Sequence, residues 1–212
     1  MTHYKLTDET IVSPEGNTLY RIELTQDCKW GKAGTKGGYI EKESNLSGDA
    51  WVYGDAQVYG NAEMSGDAKV FRNAKVYGNA QVYGNAEMSG DAKVFGNAWV
   101  YGDAKVYGNA KVYENAKVYG DAWVFGDAKV FGDAKVFGNA WVEVTSDYMT
   151  ISSLGNSART ITITFSDKMI VAGCFRGTLA EFKEAVNSKY NGKGNYYPTI
   201  TYIETLFNQK NK

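Results

Sequence analysis

The chain is poor in the residues that most often do chemistry: it holds one His and two Cys in 212 residues. A single imidazole, His3, in a segment expected to fray, excludes His-rich metal sites and most His-based acid–base catalysis. Cys28 and Cys174 are too far apart for a Cys-based zinc motif, and two thiols build no disulfide framework. A surplus of either charge is missing too. The 23 Lys and Arg face 24 Asp and Glu, a formal net of -1, which argues against a general nucleic-acid binder. No run approaches the roughly 18 apolar residues of a membrane span, and residues 1–10 lack the apolar core of a signal peptide. The expectation is a cytoplasmic protein with no membrane contact, no metal and no resident cofactor. Glycine (24 residues) and tyrosine (16) are plentiful, and a hydrophobic share of 43% suffices to bury a core.

A six-residue period organises half of the chain. From Ala50 to Val142 it repeats Ala-x-Val-(Tyr/Phe)-Gly-(Asp/Asn) without insertion. Val recurs at every sixth position from Val52 to Val142 except at Met64 and Met88, and Ile40 and Leu46 extend the frame upstream. Six is neither collagen's triplet nor a heptad, and a repeat this short implies a solenoid. Side chains alternate across a strand, so Ala and Val share an inward face while x (Lys, Glu, Gln or Trp) points outward. Gly followed by Asp or Asn is corner chemistry, both types tolerating positive φ. Three hexapeptides make a triangular coil, and eighteen frame positions make about six coils. At ~4.8 Å per coil they stack into a prism roughly 30 Å long. The interior is then Val over Val and Ala over Ala, with Met64 and Met88 as fillers.

Residues 57–71 recur identically as 81–95, a spacing that is not a whole number of coils, so the copies fall on different faces. Arg72 and Glu114 stand where the corner glycine belongs; they mark a distorted turn or ligand contact, or are tolerated substitutions. Sorting the x positions by coil gives three columns. One reads Gln57, Lys75, Lys93, Lys111, Lys129, beside an aromatic column of Tyr59, Tyr77, Phe95, Tyr113 and Phe131. Another is Trp51, Lys69, Glu87, Lys105, Trp123, Trp141; the third is Glu63, Gln81, Trp99, Lys117, Lys135. Such a surface either binds an anionic polymer or nucleotide, or its aromatic ladders stabilise the helix and pack neighbouring chains. A monomer exposing that much aromatic surface would aggregate, so self-association is expected.

The repeat divides the chain into an N-terminal β cap (1–39), the β-helix (40–143) and a C-terminal α+β domain (144–212). In the cap, 19–24 alternates as a strand, and Gly31, Gly34, Gly37 and Gly38 mark turns. In the C-terminal part, 159–165 and 168–174 read as a hairpin around Ser166 and Asp167. Thr178-Leu-Ala-Glu181 reads as a capping box opening a helix over 179–190, and 200–209 is a second amphipathic segment. Residues 150–212 carry eight Lys or Arg against four Asp or Glu, so anions would be drawn there. The junction Cys174-Phe-Arg-Gly-Thr178 places a helix N-terminus after a strand. Arg176 is a bidentate donor, Gly177 permits close backbone approach and Thr178 adds a hydroxyl. Lys193 adds charge, and Tyr196 and Tyr197 supply stacking surface. These six residues form the predicted ligand-binding site; the alternative is an ordinary capped turn with Arg176 solvated. Cys174 reads as a buried small hydrophobe, since no His or other base accompanies it.

Three stretches together resemble a family of phage and prophage hexapeptide-repeat proteins: Leu19-Tyr-Arg-Ile22 with Gly37-Gly-Tyr-Ile-Glu41 and Asn45-Leu-Ser47, the Gly-Asp-Ala-x-Val-Tyr array, and Gly173-Cys-Phe-Arg-Gly-Thr-Leu-Ala-Glu-Phe182. The resemblance implies a left-handed coil and a parallel homotrimer. It also implies a phage-encoded protein but carries little function. The Arg176–Thr178 junction, with its nearby aromatics and positive charge, motivates the expectation of a protein that captures a small anionic ligand, such as a host nucleotide immune signal of the kind phage-made sponges take up. The alternative is a structural or adhesion module with the prism as a rigid spacer. The repeat alone is similar to β-helical acyltransferases and γ-type carbonic anhydrases, which use a His base or His-bound zinc. No His lies in the array, so neither activity carries over and the chain is expected to be non-catalytic.

Overall fold

The computed structural model describes residues 3–154, 159–191 and 196–209. Three strands open the chain: β1 (Tyr4–Val12), β2 (Thr18–Leu24) and β3 (Lys36–Ile40), a meander whose last strand joins the prism. Sixteen two-residue strands, from β4 (Trp51–Val52) to β19 (Trp141–Val142), then recur every six residues in three parallel sheets. The register confirms the coil length: Lys93 pairs with Lys75 on one side and Lys111 on the other. Every Ala and Val of the array is fully buried, as are Met64 and Met88. Gln57 and its copy Gln81 lie in different sheets, as the spacing requires.

Each coil donates its N–H groups to the carbonyls of the next. Gln57 N bonds Ala74 O at 3.0 Å, Tyr59 N bonds Val76 O at 3.0 Å and Asp67 N bonds Gly84 O at 2.8 Å. The corners turn on glycine: Gly66 has φ +69, and a Cβ there would lie 3.0 Å from the nitrogen and oxygen of Gly84. Arg72 and Glu114 adopt φ 60 at their corners, so the turn is kept and not distorted. Among the described residues no corner Asp or Asn has positive φ, which corrects the reading of those residues as φ-tolerant. Their role is lateral. Asn61, Asn79 and Asn97 each donate Nδ2 to Oδ1 of the residue one coil on, at 3.1–3.2 Å, and Asn115 ends the ladder on Asp133 at 3.1 Å. An aspartate only accepts, so it terminates such a run.

This direction leaves orphan carbonyls at the N-terminal end of the prism and orphan N–H groups at the other. The N-terminal strands supply donors. Trp30 Nε1 bonds Asp49 O at 2.8 Å, Tyr4 OH bonds Glu43 O at 2.9 Å and Arg21 Nη1 bonds Gly37 O at 2.9 Å. Gly37 and Gly38 lie inside β3 and do not mark turns. A Cβ at Gly37 would meet Trp51 at 2.8 Å, and one at Gly38 would meet Val52 at 2.5 Å. Trp51, expected to point outward, is covered: His3 lies 5.6 Å from its ring and Tyr4 6.4 Å. The His3 ring is therefore packed, and burial lowers its pKa.

The C-terminal part supplies acceptors. It contains β20 (Tyr148–Leu154), β21 (Arg159–Thr164), β22 (Met169–Ala172), β23 (Phe175–Thr178), α1 (Leu179–Tyr190) and α2 (Tyr196–Gln209). The last-coil N–H groups of Lys129, Lys135 and Trp141 donate to Thr145 Oγ1, Thr162 Oγ1 and Ser166 Oγ at 3.1, 2.9 and 2.8 Å. The antiparallel sheet β20-β21-β22-β23 then buries Ile161, Ile163 and Ile170 against Phe182, Ile203 and Phe207 of the helices. The hairpin around Ser166 and Asp167 and the helix over 179–190 match the sequence reading; β20 and β23 were not anticipated.

The aromatic columns are stacked ladders, with Tyr59, Tyr77, Phe95 and Tyr113 in succession at 4.9–5.1 Å and nearly parallel. Stacking removes most of their surface from water. Of the array's aromatics only Phe131 and Trp141 are exposed, at 40% and 54%. The premise of an extensive exposed aromatic face is thus corrected.

Candidate functional site

The predicted ligand junction has a different build. Phe175–Thr178 is a strand, not a loop: it pairs with Met169–Ala172 across the two-residue turn Gly173–Cys174, with Gly173 at φ +66. Residues on alternate faces of this strand point apart. Gly177 faces inward, and a Cβ there would lie 2.6 Å from Glu181 Oε2 and 3.0 Å from Phe175 Cζ. The close approach that glycine permits is made by the chain's own carboxylate. Thr178 caps α1 as read: its N–H donates to Glu181 Oε2 at 2.7 Å and its hydroxyl accepts from Glu181 N at 3.4 Å. These bonds hold the Glu181 carboxyl below the ordinary carboxylate range. An anion would have to displace that group.

Arg176 turns the other way, onto the prism. Its guanidinium lies 4.8 Å from the Tyr119 ring centroid and 5.8 Å from that of Phe137, at the end of a stacked aromatic ladder. Burial raises the pKa of the Tyr119 hydroxyl, with Arg176 opposing it. Tyr196 is buried, stacked on Tyr190 at 5.1 Å, and Tyr197 OH donates to Asn187 Oδ1 at 2.6 Å. Lys193 lies outside the described residues. The five described residues do not converge on one point.

What does converge is a cavity of about 300 Å³ beside them. Phe175, Phe182, Tyr190 and Tyr196 wall it, and Cys174 and Lys189 line its rim. Cys174 is exposed, contrary to its reading as a buried hydrophobe. The hairpin turn positions it, α1 brings Phe182, Lys189 and Tyr190 to one side, and the first turn of α2 brings Tyr196. Lys189 Nζ lies 5.7 Å from the Tyr190 ring centroid and makes no ion pair among the described residues. An aromatic box with one ammonium at its mouth suits a flat apolar group attached to an anion. Of the predicted residues that the structure describes, only Tyr196 belongs to it. Phe182, Tyr190 and Lys189 carried a sequence signal in their spacing along one helix, but Phe175–Thr178, the strand that closes the box, was read as a strand-to-helix junction.

No protein-family model and no curated protein sequence matches this chain. Among the described residues no group of three His, Cys, Asp or Glu is placed to hold a metal ion, and no helix is long and apolar enough to cross a membrane.

Proposed function

We propose that the protein is a non-catalytic binding protein. The solenoid is a rigid stem, and the C-terminal part takes a small anionic ligand with a flat apolar group in the box of Phe175, Phe182, Tyr190 and Tyr196. Nucleotides belong to this class, including the immune signals to which the resemblance to phage proteins points. The observation that supports the reading is the Lys189 ammonium at the mouth of that aromatic cavity, without an ion-pair partner among the described residues. The test is calorimetry of the full-length protein with adenosine, AMP, a cyclic dinucleotide and ADP-ribose. Binding should require a phosphate, weaken about tenfold or more in Lys189→Ala, and persist in Arg176→Ala. No binding, or binding indifferent to Lys189→Ala and Tyr190→Ala alike, removes the proposal.

The second reading is a spacer or assembly module; under either reading we propose a homotrimer. It is favoured by the hydroxyl caps and the Arg176 clasp that fix the C-terminal part on the prism. It predicts no small-molecule affinity, and a native mass measurement reports whether one 23.3 kDa chain or three are present.

A further inference from the structure

A second cavity, of about 320 Å³, opens where the last coil meets the C-terminal part, beside Trp141. Trp141 is the most exposed of the described large aromatic side chains, at 54%. One of its faces is taken. Trp123 stacks on it at 5.4 Å with 10° between the planes, and Lys105 Nζ lies 4.7 Å from the Trp123 ring centroid. Phe125 meets Trp141 edge-on at 6.0 Å. Trp141 also lines the cavity, together with Phe165 and Phe207, themselves edge-to-face at 6.0 Å.

The polar groups of this cavity are of both signs. Asp147 and Ser166 serve the fold: Asp147 Oδ2 accepts from Glu143 N and Val144 N at 2.9 and 3.0 Å, and Ser166 Oγ from Trp141 N. Glu143 and Lys168 are exposed, and their side chains form no hydrogen bond or ion pair among the described residues. An anion entering here meets two carboxylates, and a cation meets Lys168. A purely apolar ligand leaves the polar rim unanswered. A neutral polyhydroxylated ring satisfies all of it. Its hydroxyls donate to Glu143 and accept from Lys168, while its C–H face lies on the electron-rich face of the indole.

We propose that this junction is a binding site for a neutral carbohydrate. The same side of the prism continues into a groove of about 370 Å³ that includes Lys69, Glu87, Lys105 and Trp123. Both signs are present there as well, with Lys69 Nζ 3.4 Å from Glu87 Oε1 and the corner residues Asp67, Asp103 and Asp121 supplying further hydroxyl acceptors. Trp123 lines the groove, Trp141 lines the cavity, and the two rings are stacked, so the surfaces are continuous and fit an oligosaccharide better than a single sugar. The site shares no residue with the Lys189 box.

The test is full-length protein on an array of neutral and charged glycans, followed by calorimetry and tryptophan fluorescence with maltotetraose, cellotetraose and chitotetraose. At least one neutral glycan should bind, shift the tryptophan emission and bind more tightly than its monosaccharide. Trp141→Ala should weaken it about tenfold, and Glu143→Gln and Lys168→Met severalfold. Those two rim changes leave the aromatic stack intact, so they keep the test valid if Trp141→Ala unfolds. Retention of no neutral glycan, retention of charged glycans only, or affinity unchanged in both rim variants overturns the proposal. Nucleotide titrations of the same variants separate its failure from that of the Lys189 site, because they should be unaffected.

Discussion

Thr162 Oγ1 accepts the backbone N–H of Lys135 at 2.9 Å, in the position that an alanine carbonyl of the next coil takes everywhere inside the prism. A side-chain hydroxyl thus stands in for a strand, and Thr145 and Ser166 do the same on the other two sheets. Thr162 is 2% exposed, so its loss admits little water. Thr162→Val should cost about 1–3 kcal/mol, the penalty for an unsatisfied buried donor, while Thr162→Ser should keep most of the stability. Urea unfolding of both variants checks this; equal stability of Val and wild type would refute the capping role.

The helix N-terminus gives a pH-dependent prediction. The folded-state pKa of Glu181 is depressed by its bonds to Thr178. Its contribution is therefore present above the unfolded pKa of about 4.3 and is lost as pH falls through the lower folded value. The α1 amide signals should lose hydrogen-exchange protection below about pH 4, and Glu181→Gln should flatten that dependence. Thr178→Ala should cost about 1 kcal/mol at neutral pH.

Asp167 behaves in the opposite sense. Burial raises its pKa, Oδ2 has no hydrogen-bond partner, and Oδ1 accepts from Thr164 Oγ1. The native state holds this proton more tightly than the unfolded chain, so stability falls as pH rises from about 3.9 through the folded value. Asp167→Asn keeps the Thr164 bond and removes the charge. It should raise the melting temperature at pH 7 and make no difference at pH 3; a lower melting temperature at pH 7 would show that the carboxylate is needed.

The two corner substitutions should respond differently to glycine. Both hold φ 60, a conformation costing an L-residue about 1–2 kcal/mol. Arg72→Gly should recover about 1 kcal/mol. Glu114 also bonds Gly132 N at 2.8 Å through Oε2, so Glu114→Gly should gain less or nothing. Thermal unfolding of the two variants decides; equal gains would show that the Gly132 bond contributes nothing.

The stem was legible in the sequence because its contacts repeat. A residue eighteen positions away is always the neighbour in the next coil, so one hexapeptide specifies the inward Ala and Val, the turning Gly and the stacked ring. The α1 cap was legible for the same reason, since Thr178 and Glu181 are three residues apart. Tertiary structure decided the long-range contacts that do not repeat. Only packing shows that Gly37 and Gly38 make room for Trp51 and Val52, or that Arg176 reaches across to Tyr119. Only the hairpin and two helices together bring Phe175, Lys189, Tyr190 and Tyr196 around one cavity. Local periodicity fixes a strand or a coil through short-range sterics and hydrogen bonds. A site assembled from distant segments depends on how the ends of the prism are satisfied, and no single stretch of sequence carries that.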